Sequence, residues 1–561
     1  MNKTILAIII FLYGGTLSFS QNSNWVWAKG ADASAEGSDL AADIFGNIYL
    51  SANFIASSVT FGSYTLTNSG TAWNACIVKY DSSGNVLWAN KAGGTSEVLD
   101  ISTDHLGNVY MTGNFSSPSI TFGSITLIRK GTNDAFVVKY NSSGNVMWAK
   151  NAGGVSGSSG GYSVAIDNSD NVYLSGIFGS SSFSFGSFTL SNIYGWNLFL
   201  GKYDALGNEI WAQNVISSRF LNHITTDSSG NIYLTGSFNS PTANLGSTTL
   251  VNFGMEDVFL AKFNSSGNIL WAKNAGGNGS DGGACVVTDN AGNVYLSGTF
   301  ISTSFSIDTF LLPNSGCVDI FLAKYDTTGN VIWVKGAGGT GEDRTGTGGL
   351  SINQNGTVFM SGSFGNIWCG WNNISFDQYT LIQSGWDPMF IAVFDHDGKT
   401  ICASALASGG NDINFPNAIA ADPFGNAYIG ADYAGTPFII GKDSLFSSGE
   451  KIFIAKYYCD VPHEEAIVEP DTLIIPNIFT PNSDGLNDVF NPNQTHGISI
   501  NNISIYNRWG QLIHQEDSPQ ILWDGNVNNK NASNGIYYWI VEYQNKNKNL
   551  IVLKGFVHLI R

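Results

Sequence analysis

Short acidic turns are the part of this sequence whose residue types and spacing could bind a metal. The phrase Asp-x-x-Gly-Asn recurs along the chain, as in Asp204 to Asn208, and its oxygen atoms are of the kind that Ca²⁺ prefers. The same phrase is typical of a β turn, because Asp accepts hydrogen bonds from nearby backbone N–H groups and Gly tolerates a positive φ. We therefore interpret most copies as structural turns.

A separate acidic turn near the C-terminus contains Asp484, Asn487 and Asp488. The full EF-hand spacing is absent, and no Glu stands at the closing position. An Asx turn is the plainer interpretation. We predict no cofactor and no metal site, and these three residues are the one Ca²⁺ candidate.

Catalytic side chains form no known constellation in this sequence. The His residues are scattered without an HExxH motif, and neither a GxSxG elbow nor a Walker loop occurs. Carboxylates are plentiful, but the sequence cannot place two of them at the separation that a glycosidase needs. We predict no catalytic residues and no enzyme, and the alternative is an extracellular carbohydrate-active enzyme.

The segments that position these side chains recur along the sequence. The phrase Gly-Asn-Val-Tyr occurs in seven variants, which begin at residues 46, 107, 170, 230, 292, 356 and 425. In the third copy, short alternating runs cover 162–167, 172–178, 198–203 and 209–213, with a Phe-Gly-Ser element at 185–187. Such runs between turn residues predict β-strands. Four-stranded units repeated in this way predict an all-β, seven-bladed β-propeller.

The two ends of the repeat array are complementary. A Trp-Ala-Lys strand ends most repeats, but no such strand follows Tyr457 in the seventh. One extra copy, residues 25–29, precedes the first repeat. We predict that this N-terminal strand completes the seventh blade and closes the ring, since closure removes open sheet edges.

The repeat resembles the bacterial SBBP-type β-propeller repeat in its Gly-Asn-Val-Tyr and Trp-Ala-Lys phrases, over about residues 25–458. The resemblance implies a propeller domain over 21–458 and leaves its activity open. The long loops and the Phe-Gly-Ser inserts should share one face, where ligands usually bind. Ligand-binding candidates there, with packing between blades as the alternative, are Trp73, Trp196, Trp368, Trp371 and Trp386.

A different module follows a linker at 459–472. Residues 473–561 contain alternating runs that predict about seven strands and a small β-sandwich. Its characteristic phrases occupy 476–490, 503–510, 523–525, 534–539 and 554–561.

These phrases resemble the gliding-motility-associated C-terminal domain, the type B sorting domain of type IX secretion in Bacteroidetes. The resemblance implies export across the outer membrane by the type IX translocon, with a PorP/SprF-like outer-membrane protein as a further partner. A carbohydrate-binding or adhesive β-sandwich is the alternative.

Residues 1–20 predict a secretory signal peptide. Lys3 precedes the apolar run 5–13, and the small residues Ser18 and Ser20 suit the cleavage site. No later segment has 18 continuous apolar residues, so we predict no transmembrane segment in the mature chain.

Composition narrows the remaining classes. The formal charge is −18 and no basic run occurs, which argues against nucleic-acid binding. The six Cys residues are widely spaced and allow 15 connectivities; we expect mainly buried free cysteines with one bridge. We predict an exported cell-surface or secreted binding or adhesion protein for a glycan, matrix or protein ligand. A structural component of the gliding surface is a further alternative.

Overall fold

The computed structural model divides the chain into two compact units, Met1–Asp460 and Val461–Arg561. Neither unit contains a helix within its described residues. The residues that the structure describes are 24–31, 35–68, 70, 72–192, 195–216, 220–365, 369, 373–383, 388–406, 416–433, 438–441, 443–446, 451–459, 478–482, 488–490, 499–516, 523–527, 530–544 and 550–561. The signal-peptide prediction and most of the predicted linker lie outside them.

In its described residues, the larger unit contains seven antiparallel four-stranded repeats, numbered 1 to 7. Strands A to D follow sequence order in repeats 1 to 6, and repeat 7 takes its D strand from the N-terminal end of the unit. The A strands are Ala35–Ala42, Ser96–Thr103, Ser159–Ile166, Phe220–Thr226, Asp281–Thr288, Arg344–Ile352 and Pro416–Ala421. The B strands are Ile48–Phe54, Val109–Phe115, Val172–Phe178, Ile232–Phe238, Val294–Phe300, Val358–Ser363 and Asn426–Tyr433. The C strands are Asn74–Tyr80, Asp134–Tyr140, Asn197–Tyr203, Asp257–Phe263, Asp319–Tyr325, Met389–Phe394 and Lys451–Tyr458. The D strands of repeats 1 to 6 are Val86–Lys91, Val146–Gly154, Glu209–Asn214, Ile269–Ala275, Val331–Ala337 and Thr400–Leu406.

The N-terminal strand Trp25–Gly30 occupies the D position of repeat 7. It pairs antiparallel with Lys451–Tyr458, and Trp25 lies opposite Tyr457. The predicted pairing of the chain's first strand with its last repeat is therefore confirmed. Each A strand also packs against the A strand of the next repeat, and that of repeat 7 packs against that of repeat 1.

A short hairpin joins strands B and C in every repeat. The hairpins are Ser58–Phe61 with Tyr64–Thr67, Ser119–Phe122 with Ile125–Ile128, Ser182–Phe185 with Phe188–Ser191, Thr242–Leu245 with Thr248–Val251, Ser304–Ile307 with Phe310–Pro313, Ile374–Phe376 with Tyr379–Leu381, and Phe438–Ile440 with Asp443–Leu445. In repeat 3 the hairpin pairs with strand D of repeat 2 through Phe183 and Phe185, both fully buried. The hairpin of repeat 3 therefore covers the edge of a neighbouring strand, and that the inserts share a ligand-binding face stays a prediction.

A recurring contact, here named the Trp–Lys clamp, joins neighbouring repeats. In repeat 1, Lys79 Nζ and Trp88 Nε1 both donate to the Ser142 carbonyl of repeat 2, at 3.2 and 3.1 Å. Lys79 also lies 3.4 Å from the buried Asp43 carboxylate, and Trp88 packs edge-on against Tyr49. The clamp therefore fixes the side chains of the repeated Asp, Tyr, Lys and Trp positions in one contact.

Most other interfaces repeat this arrangement. Paired Lys and Trp donors reach one carbonyl of the next repeat in four further cases: Lys202 and Trp211 on Ser265, Lys262 and Trp271 on Thr327, Lys324 and Trp333 on His396, and Lys456 and Trp27 on Ser82. The last pair joins repeat 7 to repeat 1. Between repeats 2 and 3, Trp148 donates to Ala205, whereas Lys139 pairs with Asp104 of its own repeat.

The receiving turn requires glycine. Gly144 has a φ of 84°, and a Cβ there would lie 2.8 Å from the Trp88 ring. Both the positive φ and the stacked ring exclude other residues, which explains the Gly of the repeated Asp-x-x-Gly-Asn phrase.

The interface between repeats 6 and 7 lacks the clamp. Val393 and Cys402 stand at its Lys and Trp positions, and Cys402 forms a disulfide with Cys459, with a Cα–Cα distance of 6.4 Å. A second disulfide joins Cys317 and Cys369, whereas Cys76 and Cys285 are free and buried. The expectation of one bridge is wrong, because the repeats bring two distant cysteine pairs together.

The C-terminal unit has its own sheet. Its strands are Ile478–Phe479, Ser499–Tyr506, Leu512–Glu516, Asn526–Val527, Lys530–Asn531, Gly535–Gln544 and Leu550–Leu559. Five form one sheet, in which Ile478–Phe479 pairs parallel to Leu550–Leu559, and the short pair 526–527 and 530–531 lies apart. Trp523, fully buried, centres a core with Phe479 and Tyr537.

No helix in the described part of the chain is long and apolar enough to cross a membrane.

Candidate functional site

A cavity of about 340 Å³ lies among the A strands of the larger unit. All seven repeats contribute to its lining, mostly with the last four residues of strand A before the A–B turn. None of the residues that line it is Lys or Arg. The cavity is therefore a polar space that belongs to the whole set of repeats.

One repeat position supplies the titratable side chains at this site. It lies seven residues before the first residue of the Gly-Asn-Val-Tyr phrase and carries Asp39, Asp100, Ser163, His223 and Cys285 in repeats 1 to 5. Of these, Asp39, Asp100 and His223 line the cavity. A β-bulge precedes it in each of these repeats. Bulges re-aim the side chain that follows, which accounts for the shared orientation. We name these five residues the bulge-position ring.

Each member of the ring bonds the neighbouring repeat. Asp39 Oδ2 accepts the Ile101 N–H at 3.0 Å, and Asp100 Oδ2 accepts both the Val164 N–H and the Ser163 hydroxyl at 2.6 Å. These bonds hold one oxygen of each carboxylate in a fixed position.

The remaining members continue the pattern. Ser163 Oγ accepts the Ile224 N–H at 3.2 Å, and His223 Nδ1 lies 3.0 Å from the Val286 carbonyl. Cys285 Sγ lies 3.6 Å from the carbonyl of Leu350. Since a carbonyl can only accept, Nδ1 of His223 carries the proton and its Nε2 presents a lone pair.

Burial sets the charge state of the ring. Asp39 and Asp100 are 8% and 5% exposed. Burial raises the pKa of Asp39 well above its ordinary value, and the charge and hydrogen bond of Asp100 raise it further. Burial also lowers the pKa of His223, so its imidazole is neutral near pH 7. The site thus combines two neighbouring carboxyl groups with a neutral imidazole.

Repeat 6 narrows the space beside Asp39. Its A strand bulges between Thr345 and Leu350, and Gly348 pairs with Ala418 of repeat 7. A Cβ at Gly348 would lie 2.7 Å from Asp39 Oδ1. Only glycine lets the backbone approach this carboxylate so closely.

The tryptophans predicted as ligand contacts do not form a common site within the described residues. Trp73 and Trp196, both half-buried, lie in repeats 1 and 3, which are not neighbours. Trp196 packs against an apolar core that repeats 3 and 4 share. Trp368, Trp371 and Trp386 lie outside the described residues.

The Ca²⁺ candidate is only partly described. Asp484 and Asn487 lie outside the described residues, and the Asp488 carboxylate accepts the Asn482 N–H at 2.9 Å. The repeated turns act as structural turns: Asp43 Oδ1 accepts the N–H groups of Phe45 and Asn47 at 3.0 and 2.9 Å.

Sequence reasoning missed the bulge-position ring. The available signal was variation: a repeat that is otherwise uniform carries Asp, Asp, Ser, His and Cys at one position. Because structural positions repeat with the fold, a position that changes chemistry from copy to copy indicates a site that the whole array forms.

Comparison with known proteins identifies the C-terminal unit. Residues 473–559 match the CHU_C type IX secretion signal domain. The chain therefore carries a signal for the type IX secretion machinery, which implies delivery to the cell surface or the extracellular space.

The chain is similar to parts of two longer curated proteins. An uncharacterized WD repeat-containing protein of Acanthamoeba polyphaga mimivirus is 24% identical over 326 residues, which cover 46% of this chain and 24% of that protein. The regulatory protein FlaEY of Caulobacter vibrioides is 26% identical over 149 residues, which cover 26% of this chain and 15% of that protein. The chain thus spans less than a quarter of the length of either relative.

A solved structure of a Bacteroides caccae protein of unknown function aligns with 59% of this chain and 89% of its own, at 10% identity and a TM-score of 0.33.

Proposed function

We propose that the protein is a non-catalytic binding or adhesion protein, exported by type IX secretion, whose larger unit is a seven-bladed β-propeller of the SBBP repeat type. Its ligand is an extracellular glycan, matrix component or protein. The C-terminal unit is a small β-sandwich sorting domain of type B, with a PorP/SprF-like outer-membrane protein as its partner.

The contacts between repeats support the propeller arrangement. Each A strand packs on the next, and the sequence of contacts returns from repeat 7 to repeat 1. Trp27 and Lys456 donate to Ser82 as corresponding pairs do at other interfaces. A closed ring explains why the first and last repeats meet through the same contact as neighbours in sequence.

The observation that carries the binding role is the central cavity. It is polar, it is lined by all the repeats, and one repeated position contributes Asp39, Asp100 and His223 to its lining. A purely structural array would need no such variation. Concave sites with a few convergent polar groups are typical of small-ligand binding.

The alternative of a carbohydrate-active enzyme has one observation in its favour. Asp39 and Asp100 form a carboxyl pair in the cavity, and glycosidases use two carboxyl groups. Against it, the backbone of the next repeat already holds an oxygen of each carboxylate.

The test compares the intact chain with a chain truncated after Val461 in the native host. Surface protease accessibility and mass spectrometry of the mature ends should find the intact protein at the surface or in the medium, and the truncated protein in the periplasm. Equal surface delivery of both would contradict the export proposal.

Glycan-array binding of the exported protein then tests the ligand class. Saturable binding without release of reducing sugar supports the binding role. Sugar release that Asp100→Asn abolishes would favour the enzyme instead, and loss of gliding alone would favour a structural component of the gliding surface.

A further inference from the structure

We propose that Asp39, Asp100 and His223 bind a primary ammonium group of a small organic ligand in the central cavity. The inference rests on the proposed binding role and names the chemistry of its ligand.

Charge is the first reason. Two carboxyl groups and a neutral imidazole face a cavity whose lining contains no Lys or Arg. No cation of the lining therefore balances these acids, and an incoming ammonium would compensate their charge. Without a ligand, burial and the nearby Asp100 favour the protonated form of Asp39, since they raise its pKa well above the ordinary value.

The hydrogen bond between the two carboxyl groups is the second reason. Oδ2 of Asp39 and Oδ2 of Asp100 accept donors from the next repeat, and the two carboxyl groups also share a hydrogen bond, which needs a proton on one of them. Both side chains are more than nine-tenths buried. An ammonium that replaces this shared proton brings three N–H donors, one for each carboxylate and one for Nε2 of His223.

The small number of possible ligand atoms at the site argues against a metal ion. Ca²⁺ takes six to eight oxygen ligands. No group of three or more His, Cys, Asp or Glu among the described residues has the arrangement of a metal site. An ammonium needs fewer acceptors and tolerates looser geometry.

Cavity size is the third reason. About 340 Å³ is far more than one ion occupies, since a water molecule takes roughly 30 Å³ of liquid volume. The walls add the hydroxyl groups of Thr103, Thr226 and Thr288, each of which donates to a carbonyl of the preceding repeat. Their oxygens retain lone pairs and can accept hydrogen bonds, so the cavity wall suits an organic ligand that carries polar groups next to its ammonium.

Calorimetric titration of the full-length exported protein with cadaverine (1,5-diaminopentane) tests the proposal. We expect saturable binding to one site per chain, whereas the neutral analogue 1-pentanol should not bind. Asp39→Asn and Asp100→Asn keep the side-chain shape and should each weaken cadaverine binding at least tenfold.

Asp397→Asn is the matched control, because it removes one carboxylate from a side chain that is 78% exposed and lies in another turn. It should change the affinity less than twofold. A rise in the Tm of the unaltered protein with cadaverine concentration gives a second measurement that needs no variant.

Three results would overturn the inference: no binding of cadaverine by the unaltered protein, an equal loss in the Asp397 variant, or uptake of Ca²⁺ but not of cadaverine. If cadaverine fails while export and glycan binding persist, only this inference falls. If cadaverine binds but the truncated chain still reaches the surface, the export proposal falls instead.

Discussion

Neighbouring repeats are held together by different chemistry at two interfaces, the one between repeats 6 and 7 and the one between repeats 2 and 3. Between repeats 2 and 3, Trp148 packs between the rings of Tyr110 and Tyr203, and beside it Lys139 pairs with the buried Asp104 of the same repeat 2. Between repeats 6 and 7, the corresponding positions carry Cys402 and Val393, and a disulfide from Cys402 to Cys459 replaces the aromatic and charged contacts. The comparison teaches that the repeat can lose its aromatic and charged contact where a cross-link replaces it.

The largest expected effect comes from removing the aromatic contact. Trp148→Ala should lower the free energy of unfolding by about 3–5 kcal/mol, because it leaves a cavity between two tyrosine rings and an unpaired Ala205 carbonyl. Urea denaturation of the full chain measures the loss. The control is Leu206→Ala, on the same receiving turn and 77% exposed, which should stay within about 0.5 kcal/mol. Equal effects of the two variants would mean that the clamp does not hold the repeats together.

The next effect comes from removing the cross-link. Cys402→Ala combined with Cys459→Ala should cost about 2–4 kcal/mol, since no Trp or Lys stands there to compensate. Hydrogen exchange should speed up in Lys451–Tyr458 and Thr400–Leu406. The matched pair, Cys317→Ala with Cys369→Ala, should leave exchange in those two strands unchanged. Unchanged exchange after loss of Cys402 and Cys459 would show that other contacts close this interface.

The smallest of the three effects comes from Lys139→Val. This substitution places at the Lys position of repeat 2 the valine that repeat 6 carries there, and so it tests the charged contact alone. Lys139→Val should cost about 1.5–3 kcal/mol, because it removes a charged partner from the buried Asp104. Lys150→Val removes a half-exposed partner of Glu209 and should cost about 0–1 kcal/mol in the same denaturation experiment. If Lys139→Val costs no more than Lys150→Val, the buried ion pair contributes nothing to the clamp.

The local parts of the fold could be predicted from the sequence. The turn at Asp43 depends on residues within four positions of it, and the alternating runs specify strands directly. The pairing of the first strand with the last repeat was also predictable, because counting Trp-Ala-Lys copies reveals the missing strand without any knowledge of distances.

The candidate site could not be predicted in the same way. The closeness of Asp39 and Asp100 depends on bulges in two different strands and on packing between repeats. The tryptophans were predicted as ligand contacts from their residue type and their place in the repeat, but Trp196 packs against an apolar core. The edge pairing of the repeat 3 hairpin is hidden for the same reason: the sequence shows that Phe183 and Phe185 are apolar but not which strand they pair with.

The position of the N-terminal strand has a consequence for the order in which the chain is made. The Ala28 N–H donates to Asp443 Oδ2, 415 residues further along the chain. Ribosomes synthesise the strand among the first segments, yet its partner is among the last segments of the larger unit. Throughout synthesis this strand must wait without its partner, so every product truncated before Lys451–Tyr458 leaves it with no strand to pair with in that position.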